Sequence, residues 1–264
     1  MITIEQLKID PSDTEGKILD FIKNQVKSAA LDGVVVAVSG GVDSAVALAA
    51  SVEAMGRENV TAITLPERDI TPKGDLEDVM LLCEGLGVTC EQIEITPMLR
   101  VIKRSIPSYR PDDRVANGNV KARLRMLLTY YHANSRRALV IGTSNKTELH
   151  LGYFTKYGDG GVDVMPFADL YKCQIRALGH HLGVPESIVN KPASARLWAG
   201  QDTEKDLGLD YDSLDLIVYA HLKGWPPVKI ASETGVDPAQ VGRILARISA
   251  SAHKRTPPAI LRLS

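Results

Sequence analysis

The feature that most constrains this chain is a strand that runs into a glycine-containing loop and then directly into a helix. The β-branched run at 33–38 predicts the strand, and the alanine-rich run at 45–50 predicts the helix. Between them, Gly40 and Gly41 let the backbone turn sharply and approach a ligand closely. The first amides of a helix have no partners within the helix and lie at the positive end of its dipole. This arrangement therefore predicts an anion site, most naturally for phosphate.

The loop itself reads Ser-Gly-Gly-x-Asp-Ser over Ser39–Ser44. It lacks the spacing and the lysine of a Walker A loop. It resembles instead the PP-loop of ATP pyrophosphatases, enzymes that cleave ATP to AMP and pyrophosphate while they adenylylate an acceptor. A short Gly/Ser string can also mark only a turn, but the strand before it and the helix after it favour nucleotide binding.

The composition of the 264 residues is that of a globular protein, with 44% hydrophobic residues and a formal net charge of −1. This balance argues against broad nucleic-acid binding, which usually shows as an excess of Lys and Arg. The three cysteines form no C-x-x-C pair, and we expect free thiols in a reducing compartment. Neither a signal peptide nor a run of about 18 apolar residues is evident, so we expect a soluble, cytoplasmic protein with no membrane partner.

Strands and helices alternate over most of the chain. The predicted strands lie at 33–38, 59–65, 88–95 and 138–143. With a preceding helix at 12–31, this alternation favours an α/β fold, a doubly wound parallel sheet with flanking helices, over 33–190. A mostly helical C-terminal part follows at 209–258, and a single domain spanning residues 1–264 is the simplest organisation.

Two acidic residues follow two of the predicted parallel strands. Asp43 lies just past the phosphate loop, and Glu148 lies one turn into the helix after Thr143. Ligands of parallel sheets bind beyond the carboxyl ends of the strands. Either acid alone could simply cap a helix or face solvent. Together they predict a Mg²⁺ site, because a hard cation prefers oxygen ligands and neutralises phosphate charge.

Two irregular stretches interrupt the second half of the chain, at 152–169 and at about 191–208. The first is too long for a simple connection, which suggests a functional loop. Its residues 152–163 carry three aromatic side chains together with basic and acidic ones. Such a set suits a ligand with rings, ribose and phosphate.

Taken together, these motifs resemble those of the ammonia-dependent NAD synthetase family. The matching segments are Ser-Gly-Gly-x-Asp-Ser at Ser39–Ser44, Asn-Val-x-Ala-Arg-x-Arg-Met at Asn119–Met126, Gly-Thr-x-Asn-x-x-Glu at Gly142–Glu148 and Gly-Tyr-x-Thr-Lys-Tyr-Gly-Asp at Gly152–Asp159. Shorter matches follow at Leu170–Lys172, Leu197–Gln201 and His253–Pro258. The resemblance runs from about Val35 to Pro258. The Gly-Tyr-x-Thr-Lys-Tyr-Gly-Asp motif is specific, whereas the first motif marks only the wider superfamily.

The resemblance implies an adenine nucleotide alpha hydrolase-like fold, a homodimer and a two-step reaction. ATP adenylylates the nicotinate carboxylate of deamido-NAD and releases pyrophosphate, and ammonia then displaces AMP to give NAD. No residue needs to act as a covalent nucleophile. Because glutamine-dependent relatives carry an extra glutaminase domain, we expect this chain to use ammonium directly. Whether a separate glutaminase supplies the ammonia stays open.

The resemblance also assigns roles by motif position. ATP binding falls on Ala37, Val38, Ser39, Gly40, Gly41, Val42, Asp43, Ser44, Thr143, Lys172 and Ser194. Mg²⁺ binding falls on Asp43 and Glu148, and the catalytic role falls on Asp43 and Lys172. Deamido-NAD binding falls on Arg123, Lys156, Asp163, His253 and Lys254.

Two departures from the family pattern leave the acceptor open. Arg196 stands where a small or acidic residue is more usual, and Asp202-Thr203 reverses the usual Thr-Asp order. The alternative function is therefore another PP-loop ligase or amidotransferase with a different carboxylate acceptor.

A second alternative comes from residues 228–245, which resemble a helix-turn-helix. The segment holds few base-reading side chains, and the chain carries no excess of positive charge. We therefore expect a tight helical corner that leads to His253-Lys254, and no nucleic-acid partner.

Overall fold

A parallel sheet of four strands lies at the centre of the computed structural model, which describes residues 1–263. The strands are β1 (Gly33–Ala37), β2 (Val60–Thr64), β3 (Cys90–Gln92) and β4 (Ala138–Ile141). Their spatial order is β3-β2-β1-β4, and all pairs are parallel. The chain thus adds strands on one side of β1 and then crosses to the other side. Ligands of such sheets bind where this order reverses, which is between β1 and β4.

The helices are α1 (Pro11–Ser28), α2 (Val42–Met55), α3 (Lys73–Leu86), α4 (Thr96–Ser105), α5 (Arg114–Ser135), α6 (Lys146–Leu151), α7 (Lys172–His181), α8 (Glu186–Val189), α9 (Thr203–Leu207), α10 (Tyr211–Leu222), α11 (Pro227–Thr234) and α12 (Pro238–Ala250). No helix within residues 1–263 is long and apolar enough to cross a membrane.

Helices cover both faces of the sheet. Val34 and Val36 of β1 point to one face, where they join a core with α1, α2 and α7. Val35 points to the opposite face and packs with residues of α4 and α5. Since alternate residues of a strand face opposite ways, the apolar run of β1 supplies both cores. The predicted doubly wound parallel sheet with flanking helices is confirmed.

A third core joins α10, α11 and α12 around Leu214, Ile217 and Ile244. This C-terminal part packs against α6 and α7, the two helices that begin beside the sheet's carboxyl edge. Within the segment that resembles a helix-turn-helix, Ile230, Val241 and Ile244 are buried in this core. Just beyond it, Arg247 of α12 donates from Nε to the carbonyl of Leu151 at 2.9 Å. The segment is a packed corner of the fold.

Two local predictions differ from the structure, and one helix was missed. The N-terminal helix begins at Pro11 and is capped by the side chain of Asp10, whereas the sequence suggested a start at Ser12. A proline at the first helical position, just after an aspartate, favours this earlier start. Strand β3 covers only three of the eight residues expected, and it lies at the edge of the sheet. The amphipathic helix α4 was not predicted at all.

Candidate active site

The phosphate loop lies between the end of β1 and the start of α2. Gly40 has φ +82°, and a Cβ there would lie 2.6 Å from the carbonyl oxygen of Asp75, so only glycine fits. Ser39 donates its amide to Ser44 Oγ at 3.1 Å, and Ser44 Oγ donates to the Gly41 carbonyl at 3.0 Å. No side chain among residues 1–263 caps the amides at the start of α2. These amides are therefore available to an anion.

Asp43 and Glu148 are brought together by the neighbouring parallel strands β1 and β4. Each lies in the first turn of the helix that follows its strand. Asn145 joins them: its Nδ2 donates to Asp43 Oδ1 at 2.8 Å, and its Oδ1 accepts the Glu148 amide at 2.9 Å. The hydroxyl of Tyr211 donates to Glu148 Oε1 at 3.2 Å. Both carboxylates are thus held in fixed positions at the phosphate loop.

Lys172 is the first residue of α7, and only 2% of it is exposed. Its ammonium forms an ion pair with Asp43 Oδ2 and lies 4.9 Å from the centre of the Tyr211 ring. Burial lowers the pKa of Lys172, but the negative charges of Asp43 and Glu148 outweigh it, so the pKa is raised overall. Lys172 therefore stays charged at neutral pH.

Glu148 is a buried carboxylate that lies near the carboxylate of Asp43. Burial, and secondly the neighbouring carboxylate of Asp43, raise its pKa to about 8. Within residues 1–263, no group of three or more His, Cys, Asp or Glu could hold a metal ion. The two carboxylates fit Mg²⁺, which is usually held by one or two carboxylates together with substrate phosphates and water.

A cavity of about 400 Å³ opens beside these groups. All the residues predicted to bind ATP line it: Ala37, Val38, Ser39, Gly40, Gly41, Val42, Asp43, Ser44, Thr143, Lys172 and Ser194. Leu65, Val115, Met126 and Val162 give the cavity apolar walls, which suit a planar base or ring. The structure thus gathers the predicted ATP residues in one place, while their roles stay predictions.

The residues predicted to bind deamido-NAD are more dispersed. Lys254 lines the cavity, and its Nζ donates to the carbonyls of Gly152 and Phe154 at 2.8 Å. Arg123, Lys156 and His253 lie outside the cavity but next to one another. Lys156 Nζ donates to the His253 carbonyl at 2.6 Å, and Arg123 donates to the Lys156 carbonyl at 3.3 Å.

Asp163 stands apart from that group. Its Oδ2 accepts the amide of Val140 at 2.8 Å, and its Oδ1 accepts the hydroxyl of Tyr130 at 3.0 Å. These bonds fasten the loop beside β4, where Ile141 and Val164 form a parallel bridge. The contacts of Asp163 within the chain are therefore structural, and its predicted role in acceptor binding stays a prediction.

Several residues of the site received no role from the sequence. Asn145 lies inside the recognised Gly-Thr-x-Asn-x-x-Glu motif, which was a usable signal. Tyr211 and the fully buried Asp215 come from α10, more than 60 residues away, and no spacing points to them. Asp215 accepts hydrogen bonds from Thr147 Oγ1 at 2.5 Å and from the amide of Cys173 at 2.9 Å. It thereby ties α10 to the starts of α6 and α7.

A profile of the NAD synthase family matches residues 15–258. This chain belongs to that family. One curated relative, the NH(3)-dependent NAD(+) synthetase of Hyperthermus butylicus, is 45% identical to this chain over 257 residues. The match covers 97% of this chain and 92% of the relative.

Solved structures of NAD synthase relatives agree with this assignment. An NH3-dependent NAD synthetase from Campylobacter jejuni, in complex with the nitrate ion, matches with a TM-score of 0.80 at 32% identity, over 96% of this chain and all of that one. An NMN synthetase from Francisella tularensis matches with a TM-score of 0.85, also at 32% identity, over 97% of this chain and all of that one.

Proposed function

We propose that this chain is an ammonia-dependent NAD synthetase that amidates the nicotinate carboxylate of deamido-NAD. Family membership and the names of the curated relatives support the reaction. In the first step a carboxylate oxygen attacks the α-phosphorus of ATP, and the bond to pyrophosphate breaks. In the second step ammonia attacks the acyl carbon, the bond to AMP breaks, and the nitrogen loses a proton.

The nucleotide part of this proposal rests on one observation above all, the convergence of Asp43, Glu148 and Lys172 on the phosphate loop. The uncapped amides of α2 would bind the β- and γ-phosphates. The charged ammonium of Lys172 would stabilise the negative charge that develops on departing pyrophosphate. A buried cation that is already in place needs no reorganisation during the reaction.

Asp43 and Glu148 would hold Mg²⁺. When bound, the ion neutralises phosphate charge and makes pyrophosphate a better leaving group. The raised pKa of Glu148 supports this assignment, because a cation beside two crowded carboxylates favours their charged forms. Asn145 and Tyr211 would keep both carboxylates aimed at the ion.

We propose a homodimer in which α5 lies at the interface. Arg123, Leu127 and Tyr131 are spaced four residues apart, so they share one face of that helix. Leu127 is 59% exposed and Tyr131 is 69% exposed, which is unusual for large apolar side chains so close together. Because Arg123 shares this face, dimerisation would bring a second copy beside the acceptor residues.

Three candidate acceptors need to be told apart. The curated relatives are named for NAD, whereas the Francisella tularensis structure is named for NMN, the mononucleotide. We favour deamido-NAD because curated relatives with 41–45% identity carry that activity in their names. Amidation of the mononucleotide is the second candidate. A different carboxylate acceptor, as in other PP-loop ligases, is the third.

The deciding experiment combines purified protein, ATP, Mg²⁺ and ammonium with either deamido-NAD or its mononucleotide counterpart. We expect NAD, AMP and pyrophosphate in equal amounts from deamido-NAD, at a higher kcat/KM than for the mononucleotide. ADP formed in step with the amide would contradict the PP-loop assignment. Preference for the mononucleotide would favour the second candidate, and no amide from either would favour the third.

The cytoplasmic location stays a prediction. It is supported by Cys83, Cys90 and Cys173, which are all free thiols.

A further inference from the structure

The peptide between Gly40 and Gly41, in the middle of the phosphate loop, needs something to hold its orientation. Two adjacent glycines have the widest conformational freedom of any residue pair, so this peptide could flip readily. In a trans peptide the carbonyl of one residue and the N–H of the next point in opposite directions. A flip would therefore replace the Gly41 N–H with the Gly40 carbonyl at the anion site.

Lys191 holds that carbonyl. Its Nζ lies 2.9 Å from the Gly40 oxygen, 2.9 Å from Asp75 Oδ1 and 2.5 Å from Asp78 Oδ2. An ammonium group has three N–H donors, and here all three have acceptors. The Lys191 side chain is only 16% exposed. Its position is therefore defined by the loop on one side and by α3 on the other.

Arg196 reaches the same carboxylate from the segment that follows Lys191. Its Nε lies 2.8 Å from Asp75 Oδ2, and the Asp75 side chain is only 6% exposed. Arg196 has φ +51°, in the left-handed region that a side chain with a Cβ rarely adopts. Such an outlier persists where its surroundings hold it, which here means the ion pair with Asp75. This is also the position where the sequence departs from its family's small or acidic residue.

The segment 191–201 that carries both cations also reaches into the cavity. Ser194 lines the cavity, and its Oγ donates to the Gln201 carbonyl at 2.7 Å. Lys121 of α5 donates from Nζ to the Leu197 carbonyl at 2.7 Å. The segment is thus fixed at its far end as well, and the Lys191 cluster fixes it to the phosphate loop.

We propose that Lys191, with Asp75 and Arg196, is a positioning group for the phosphate loop: it fixes the Gly40–Gly41 peptide so that the Gly41 N–H stays available to the polyphosphate of ATP. The inference rests on the proposed function in taking ATP as the ligand. Lys191 acts through the backbone, and Arg196 acts through Asp75. The cluster orders the loop before the nucleotide arrives, so that binding does not have to order it.

If the cluster positions the loop for polyphosphate, its loss should weaken the binding of ligands with a pyrophosphate group more than the binding of AMP. We would measure the affinity of the full chain for ATP, inorganic pyrophosphate and AMP by calorimetry with Mg²⁺, well below the unfolding temperature. Lys191→Met should weaken the binding of ATP and of pyrophosphate about tenfold or more. It frees the Gly40–Gly41 peptide, whose N–H donates to a charged group of these ligands. AMP, which has no β- or γ-phosphate, should lose less than about twofold.

Lys205→Met is the matched control, since Lys205 lies in the following helix and its side chain is 85% exposed. It should change none of the three affinities. Lys191→Arg keeps the charge and should recover part of the lost ATP affinity. Arg196→Gly removes the strain of the left-handed backbone, so this variant should fold even if Lys191→Met does not. It should weaken the binding of ATP about threefold and leave the binding of AMP unchanged.

Equal losses for ATP and AMP in Lys191→Met would contradict the proposal, because they would indicate general damage to the cavity. Unchanged ATP affinity with a lower unfolding temperature would also contradict it, because the cluster would then only stabilise the fold. A wild-type chain that binds ATP and pyrophosphate but forms no NAD would refute the proposed function and leave this inference standing.

Discussion

The nucleotide half of the site (Asp43, Glu148 and Lys172) and its acceptor half (Arg123 and Lys156, with His253 and Lys254) are built in different ways. In the nucleotide half each side chain lies in the first turn of a helix and is held by other side chains. In the acceptor half the cations of Arg123 and Lys156 lie outside the cavity and donate to backbone carbonyls.

This difference indicates which half is complete within one chain. The carboxylates and the ammonium of the nucleotide half are already held in place by other side chains of the same chain, so they are ready to bind a charged ligand. In the acceptor half, Arg123 and Lys156 lie outside the cavity, next to the exposed apolar face of α5. We therefore expect a single chain to suffice for ATP and a second copy to complete the site for deamido-NAD.

The largest effect should come from removing a carboxylate of the nucleotide half. Asp43→Asn and Glu148→Gln should each lower kcat by about 10²- to 10³-fold, the range found when one group that stabilises the transition state is lost. Steady-state kinetics across a Mg²⁺ series would measure this. Asp13→Asn on the exposed side of α1 is the control. Normal turnover of either variant at limiting Mg²⁺ would remove that residue from the metal site.

The second largest effect should come from a charge introduced on the exposed face of α5, which should impair the acceptor half and spare the nucleotide half. Leu127→Glu buries an unpaired carboxylate if this face is the dimer interface, which should raise the dimer dissociation constant about 10²-fold or more. Light scattering would follow the mass, and the KM values for ATP and deamido-NAD would follow the two halves. Only the KM for deamido-NAD should rise. Val228→Glu, which changes an 81% exposed apolar side chain on α11, should leave the mass unchanged. A fully active monomer would contradict the account.

Within the acceptor half, Lys156→Met should raise the KM for deamido-NAD about tenfold, as expected for one charged hydrogen bond near the surface, and leave the KM for ATP unchanged. Lys156→Arg should restore part of the affinity. If both KM values rise together, the separation into two halves is wrong, because Lys156 would then serve the whole cavity.

The last prediction concerns the nitrogen donor and needs no substitution. Because neutral NH₃ is the nucleophile, the KM for total ammonium should fall about tenfold per pH unit between pH 7 and 8, while most of it is still protonated. The KM expressed as NH₃ should stay constant. Glutamine should support no NAD formation in ammonia-scavenged buffer. Glutamine-driven turnover that alkylation of the cysteines abolishes would overturn this expectation.

The nucleotide half could be predicted from the sequence because its motifs are local. Ser39–Ser44 and Gly142–Glu148 each combine a strand end, a loop and a helix start within a few residues. Parallel strands bring their carboxyl ends together, so the meeting of Asp43 with Glu148 follows from the alternation of strands and helices. The same alternation predicted the sheet and the helices on both of its faces.

The rest depends on contacts between distant parts of the chain, which local patterns do not encode. Tyr211 and Asp215 reach the site from α10 only because the C-terminal helices pack on α6 and α7. Lys191 donates a hydrogen bond to the Gly40 carbonyl although the two residues are 151 positions apart in the sequence. The placement of Asp163 against β4 was missed for the same reason: its partner Val140 lies 23 residues earlier in the chain.

The most direct test of the account is the fate of the acceptor's carboxylate oxygen. Deamido-NAD labelled with oxygen-18 in its nicotinate carboxylate would be converted with ATP, Mg²⁺ and ammonium, and the products would be read by mass spectrometry and phosphorus NMR. If the carboxylate attacks the α-phosphorus, AMP must leave with one labelled oxygen, and pyrophosphate must carry none. Unlabelled AMP, or label in pyrophosphate or phosphate, would contradict adenylylation at this site.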